Sequence, residues 1–239
     1  MIALPVGLPA WLLASPLLGI FLTLLGYRIG LEIQRRTGGH ALAQPVLVAI
    51  FVIGAAFWVF DLDYADYLRG AGIISFLLGP ATVALAIPLH RQSHRLRMLA
   101  LPMLIALPVG AFVSIASVIL VVRACGGDDV LQRSMAPKAA TTPVAIAISE
   151  TIGGLPSLTV AMVIVAGIGG AVVGPMMLDL FRITDRRARG LAIGAVSHGI
   201  GTSRALREHP VEGALSGLSM GLTALLVSLL TPWVVWLLK

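Results

Sequence analysis

The chain reads as an all-α polytopic integral membrane protein with about seven or eight membrane segments, some of them broken or re-entrant helices. Three observations lead there. Of its 239 residues, 58% are hydrophobic and only 12% charged, against roughly 45–50% and about 25% in soluble domains. The mean hydropathy is +0.97. Long apolar runs alternate with short basic clusters, as crossings of roughly 20 residues through a lipid bilayer require.

The runs cover residues 10–27, 45–60, 70–89, 99–122, 139–152, 157–181, 190–203 and 213–238. Arg28, Arg35, Arg36 and His40 follow the first; His90, Arg91, His94, Arg95 and Arg97 follow the third. Arg182, Arg186, Arg187 and Arg189 follow the sixth, whereas the link 61–69 is acidic, with Asp61, Asp63 and Asp66 against Arg69. Basic loops stay in the cytoplasm. The N-terminus is therefore expected outside, with four passes up to residue 122. Met1 to Pro9 lack a basic n-region, so a cleaved signal peptide is not expected.

The pI near 10.4 does not indicate nucleic acid, because the basic residues sit at the ends of apolar runs. The single cysteine, Cys125, can form no internal disulfide and reads as a small packing residue.

Loop charge then constrains the fifth run. Residue 123 emerges outside and 182–189 lies inside, so the run 157–181 also starts outside. The run 139–152 must enter and leave on one side, as a re-entrant hairpin or a broken helix. Its shortness, Pro143 and Gly153-Gly154 agree. Thr141 and Thr142 stand at cap-like positions before Pro143. A half-helix starting there would aim its unpaired N–H groups and positive dipole end at a small anion. A plain proline kink, with the threonines bonding back to the helix, is the competing reading. Glu150, two turns on, is a buried proton-coupling group, half of a buried ion pair with Arg204 or Lys138, or a residue at headgroup level.

Two further places carry polar residues in apolar surroundings. The run 190–203 includes Ser197, His198, Gly199, Gly201, Thr202 and Ser203, ahead of Arg204. Its glycines fit a close helix contact, while His198 needs a partner and can carry a proton. Ser75 and Thr82 flank Gly79-Pro80, a kink that is structural or cavity-lining. Gln44-Pro45-Val-Leu-Val-Ala-Ile echoes Thr142-Pro143-Val-Ala-Ile-Ala-Ile across three passes, the parity of an inverted repeat with halves 40–123 and 136–239. There is no Gly-x-Ser-x-Gly elbow, His-Glu-x-x-His, Cys/His cluster or P-loop, so neither an enzyme nor a metal or cofactor is expected.

Five stretches resemble one family, in order. They are Phe76-Leu-Leu-Gly79-Pro80-Ala-Thr82, Pro137-Lys138-Ala-Ala-Thr141-Thr142-Pro143, Ile148-Ser-Glu150 with Gly153-Gly154 and Pro156-Ser-Leu-Thr159, Ser197-His198-Gly-Ile-Gly201-Thr202, and Glu212-Gly213 with Ser216-Gly217. From roughly residue 40 to its end, the chain is similar to the LrgB/CidB family. It departs at Gln44, where the family usually has Asn, and at Ala140, where Ser or Val is usual.

The resemblance implies one LrgB-like transmembrane domain over 1–239 in a bacterial inner (cytoplasmic) membrane. It implies a fold like that of transporters whose two broken helices cross at the midplane. Two functions come with it. One is secondary transport of small monocarboxylates such as glycolate, glycerate, lactate or pyruvate, as in the related plastidic glycolate/glycerate translocator. The other is antiholin-like regulation of murein hydrolase export and lysis through oligomerisation with a small LrgA/CidA-type partner. For transport, the solute is expected at Thr141, Thr142, Pro143, Gln44, Pro45, Ser75, Thr82, Ser197, His198 and Thr202, with protons coupled through Glu150 or His198. A homo-oligomer in the lipid bilayer is expected.

Overall fold

The computed structural model describes residues 15–40, 43–77, 80 and 99–238. The basic cluster His90 to Arg97 and the positions Gly79 and Thr82 lie outside the described residues. The chain divides into two compact units, Met1–Ala81 and Thr82–Lys239. That division falls at a different place from the repeat halves read from the sequence. All regular structure among the described residues is helical.

In the first unit, α1 (Pro16–Arg36), α2 (Pro45–Phe60) and α3 (Tyr64–Phe76) form a small bundle. The Ser15 hydroxyl accepts the Leu17 N–H at 3.3 Å to open α1, and Pro16 takes the first helical position, where its missing N–H costs nothing. Glycines set the packing distance. A Cβ on Gly30 would lie 2.5 Å from the Pro45 carbonyl oxygen, and one on Gly19 would lie 2.4 Å from that of Tyr67. The acidic link is shorter than the sequence implied: Asp61 ends α2 at φ 50°, and the Asp63 carboxylate already caps α3 by accepting the Ala65 N–H at 2.7 Å.

The second unit holds α4 (Ala100–Ala124), α5 (Asp129–Met135), α6 (Thr142–Ile152), α7 (Pro156–Leu180), α8 (Arg186–Glu208) and α9 (Pro210–Leu237). Side-chain contacts give their directions. Met103 and Leu107 of α4 cluster with Leu215 and Leu218 of α9, and at the other end the Arg123 guanidinium donates to the Leu238 carbonyl. Those two helices therefore run parallel. Arg189 meets Asp179 at 2.6 Å and Glu212 at 3.4 Å, so the end of α7 and the starts of α8 and α9 share one end of the unit. The opposite end gathers the ends of α4 and α9, helix α5 and the start of α7, where the Leu155 N–H donates to Ser134 Oγ at 2.7 Å.

This arrangement makes α5 and α6 a hairpin whose two ends lie together. Arg133 donates to the Ile152 carbonyl at 3.4 Å, while the intervening Ala136, Pro137, Ala139 and Ala140 are buried in the unit. Helix α6 has 11 residues, about 16 Å of rise, roughly half a hydrocarbon core.

Helix α8 is a second hairpin. At His198 the backbone leaves helical geometry (φ 37°, ψ −133°). A straight helix would hold Arg189 and Glu208 about 28 Å apart, yet their side chains approach to 4.0 Å. A Cβ on Gly201 would lie 2.8 Å from Ile193 Cγ2. Residues 186–197 thus run in along α9 and residues 199–208 run back out. The run 190–203, read above as one apolar segment, contains the turn of this hairpin. The sequence pattern could not show it, because both arms keep a helical period.

Among the described residues, Pro16–Arg36, Leu101–Ala124, Pro156–Leu180 and Pro210–Leu237 are long and apolar enough to cross a membrane. Their outward surfaces fit that medium: Leu101 and Leu104 are each 71% exposed, and Trp233 and Trp236 each 69%. Such apolar girdles belong against lipid or another membrane helix.

Two tests follow from this packing. Gly194→Val would place a Cβ 2.1 Å from the Ser216 carbonyl oxygen; it should destabilise the protein by about 1–3 kcal/mol, read as a lower Tm in detergent. Gly174→Ala, which meets nothing within 4 Å, should leave Tm unchanged. Cys125, exposed beside the end of α4, should react with a membrane-impermeant maleimide added to intact cells, as the loop charges require. Labelling only after lysis would reverse the orientation.

Candidate functional site at two hairpin tips

The two hairpins enter the second unit from opposite ends, and their tips reach the same level of α7. Ser149 and Thr159 touch at 2.7 Å. One turn further along antiparallel α6 and α7 sets Ala145 beside Val163, both fully buried in one apolar cluster. Thr141 stands one turn beyond Ala145. From the other hairpin, His198 Nε2 lies 3.0 Å from the Val163 carbonyl oxygen, and the ring covers Gly167, where a Cβ would come within 2.4 Å of Cε1. A carbonyl only accepts, so Nε2 carries the proton in this contact.

At the first tip, Thr141 is the N-cap of α6 (φ −64°, ψ 149°), with Pro143 in the first turn. Its carbonyl accepts the Ala145 N–H at 2.8 Å, but its side chain caps nothing. The hydroxyl is buried without a partner. Thr142 and Pro143 are half-buried beside it. At the second tip, Ser197 is fully buried and its hydroxyl also has no partner. A new helix arm starts at Gly199, and the first N–H groups of a helix have no acceptor within it. Thr202 donates to the His198 carbonyl at 2.8 Å and so accepts from Ser216 Oγ at 2.8 Å, leaving its hydroxyl occupied.

Buried hydroxyls normally find partners. In the second unit those without one are Thr141, Ser197 and Thr223 among the described residues. Two of the three sit at the hairpin tips. The arrangement offers hydroxyls and helix N-termini to a small polar or anionic group. The groove of about 440 Å³ between α7 and the incoming arm of α8 ends at Ser197. Its walls of Val173, Met177, Ile193 and Val196 are apolar and do not fit an anion.

Of the other residues singled out by sequence, Gln44 and Pro45 lie in the first unit. Gln44 is the N-cap of α2, 6% exposed, with its Nε2 unpartnered. It shares with Thr141 a buried cap, an unpartnered side-chain atom and a proline in the first turn. Ser75 is exposed on α3. Glu150 is exposed rather than buried, which leaves the headgroup-level reading among those weighed, because α6 turns Ala145, Ile148 and Ser149 inward and 147, 150 and 151 outward. Neither ion pair considered for it forms: Arg204 binds Glu208 at 2.9 Å, and Lys138 donates to Ser114 Oγ at 2.9 Å.

Two polar clusters escaped the sequence reading. Behind the Gly153-Gly154 turn, Thr159 Oγ1 lies 2.8 Å from the Ser134 carbonyl and 2.7 Å from Ser149 Oγ, all three residues fully buried. The Thr159 hydroxyl is the donor at the centre of this cluster. At the base of α8, Glu212 is fully buried between Arg186 at 3.0 Å and Arg189 at 3.4 Å. Arg189 had counted as a loop charge; it is 7% exposed. The signal was available: Arg189-Gly190 and Glu212-Gly213 both set a charge beside a glycine at the start of an apolar run.

The backbone at the second tip yields a stability test. His198→Gly and His198→Ala both lose the bond to Val163, but only glycine adopts φ near 37° without strain. The glycine variant should be the more stable by about 1 kcal/mol, measured as the Tm difference in detergent.

Comparison with known proteins is consistent along almost the whole chain. Residues 23–237 match the LrgB-like family. The protein called Uncharacterized protein YxaC from Bacillus subtilis (strain 168) is 39% identical over 218 residues, 91% of this chain and 94% of its own length. Antiholin-like protein LrgB from Bacillus mycoides (strain KBAB4) is 34% identical over 219 residues, 91% of this chain and 95% of its own. No solved structure gives a significant match. The matched span takes in both hairpins and their flanking helices, and the chain belongs to the LrgB-like family.

Proposed function

We propose that this multi-pass membrane protein is a secondary transporter, or the solute-binding subunit of one, for small monocarboxylates such as glycolate, glycerate, lactate or pyruvate. The observation that carries the reading is the pair of hairpin tips, each with a buried hydroxyl, Thr141 or Ser197, that has no partner in the protein. A carboxylate between them would accept from both hydroxyls and from the opening N–H groups of α6 and of the arm after His198.

Hairpins inserted from opposite sides, with the binding point between their tips, suit alternating access in a fold of inverted repeats. The matching caps at Gln44 and Thr141 support such a repeat, and with it a count of about seven or eight segments. In this reading Gln44, Pro45 and Ser75 belong to the counterpart repeat, and Thr82, outside the described residues, is a further candidate for solute contact. The chain is not an enzyme, sits in the bacterial inner membrane, and works as an oligomer or with a small LrgA-type membrane protein. His198, with a second ring nitrogen free of the Val163 contact, is better placed than exposed Glu150 to couple protons.

The names of relatives favour a second reading. Proteins similar to this one are called antiholin-like, and a regulator that acts by assembly alone would need no solute seat.

Uptake of labelled glycolate, lactate and pyruvate into proteoliposomes, with and without an LrgA-type partner, separates the two. Saturable uptake is expected for at least one acid; none under either condition overturns the transport reading. Thr141→Val and Ser197→Ala should each cut uptake at least tenfold with Tm unchanged, because each deletes a hydroxyl that bonds to nothing in the protein. Uptake unaltered in both would remove the tips as the seat.

A further inference from the structure

The chain uses arginine almost exclusively for its positive charges: 17 residues are Lys or Arg, and the only lysines are Lys138 and Lys239. Arginine is the common choice for fixed ion pairs. In the second unit Arg133, Arg186, Arg187, Arg189 and Arg204 each lie within 4.0 Å of a carboxylate. Lys138 does not fit this pattern. It stands between α5 and α6, three residues before Thr141, with its ammonium donating to Ser114 Oγ at 2.9 Å. Ser114 is ten residues, about 15 Å, from the end of α4, so the charge lies that far along the helix, in a part-buried contact. Among the described residues no carboxylate pairs with it, and Glu150 on the next helix faces outward.

An ammonium in apolar surroundings without a counter-ion is costly. A neutral serine hydroxyl fills one of its three donor directions and none of its charge. The same tip holds the opening turn of α6 and the unpartnered Thr141 hydroxyl, itself only 8% exposed. The Lys138 ammonium, the Thr141 hydroxyl and the opening N–H groups of α6 can all donate, and the missing element is one negative charge.

We propose that Lys138 is the specificity-determining counter-charge of this site: the first hairpin tip takes its ligand as a singly charged anion that pairs with the Lys138 ammonium, and rejects the neutral isostere. The inference rests on the tip being a solute seat. A compact ammonium on a flexible stem suits a ligand that must leave again, where a planar guanidinium would hold it bidentate.

The experiment has two arms. In proteoliposomes, Lys138→Gln should raise KM at least tenfold for whichever of glycolate, lactate and pyruvate the wild type takes up, and Lys138→Arg should keep KM within about fivefold. For glycolamide, the uncharged counterpart of glycolate, wild type and Lys138→Gln should be equally poor. An unchanged KM in Lys138→Gln, with wild-type uptake intact, overturns this inference and leaves the transport reading standing. The second arm needs neither transport nor a mutant. Amine acetylation of purified wild type, read by mass spectrometry with Lys239 as internal control, should slow at least threefold at Lys138 in saturating glycolate, lactate or pyruvate, and not in glycolamide. Acetylation unchanged by all three acids overturns the inference even if the variants do not fold, and absent wild-type uptake identifies failure of the transport reading itself.

Discussion

Gly190 and Gly194 hold the incoming arm of α8 so close to α9 that a methyl group on either would fall within 2.4 Å of a backbone oxygen, that of Glu212 or Ser216. The second unit depends on this approach. In lipid, helices gain nothing from hiding apolar surface, so association comes from close van der Waals packing and polar contacts. The glycines are spaced four apart, one per turn, along a single face. They bring Ser219 within 2.7 Å of the Leu191 carbonyl and place Glu212 beside Arg189. Once that arm is fixed, Gly201 can pass Ser197 and Ile193, and the returning arm lies down with His198 at its turn.

The protein is also polar where soluble proteins are apolar. Fully buried positions include Ser134, Ser149, Thr159, Ser197, Glu212, Ser216, Ser219 and Thr231, while the outer surface carries Phe, Leu and Trp. Hydroxyls serve this role because each can bond a backbone carbonyl of its own or a neighbouring helix, as Thr231 does to Val227 at 2.6 Å. Against that background of satisfied hydroxyls, the unpartnered ones at the tips carry meaning. Most buried hydroxyls of the second unit are paired, and of the three that are not among the described residues, Thr141, Ser197 and Thr223, two stand at the hairpin tips.

Much of this was legible in the residues. Loop charge called for a re-entrant element at 139–152, but the hairpin found starts earlier, with α5. Residues 139–141 lie at its tip, and Arg133 and Ser134, not residue 139, gather with Ile152 and Leu155 at one end of the unit. Thr141, Pro143, Ser197 and His198 stood out because lipid cannot satisfy them. The break at His198 was not legible, since φ 37° with ψ −133° lies outside the left-handed region that histidine visits, and no proline marks the turn. It arises from tertiary contacts: the ring anchored on Val163, with Gly167 giving it room. The outward turn of Glu150 depends on the helical phase of α6, which the inward Ser149 sets through Thr159. The pairing of Arg189 with Glu212 needed the fold-back itself, which joins residues far apart along the chain.

The two hairpins are closed at their bases by different physics. Neutral hydrogen bonds among Ser134, Ser149, Thr159 and Leu155 hold the α5–α6 base. Such bonds add about 1 kcal/mol each and carry little desolvation cost. The α8 base is ionic, with buried Glu212 between two arginines, one of them half exposed at its side chain. A buried ion pair gives little net stability over apolar packing, but losing one partner costs about 3–5 kcal/mol. The ionic base is therefore a specifying contact more than a stabilising one. It accepts one register of α8 on α9 and penalises the slips that a smooth glycine face would otherwise permit. Register at the base fixes the depth of the tip, so the same contact that selects the fold sets His198 and Ser197 at the level of Thr141.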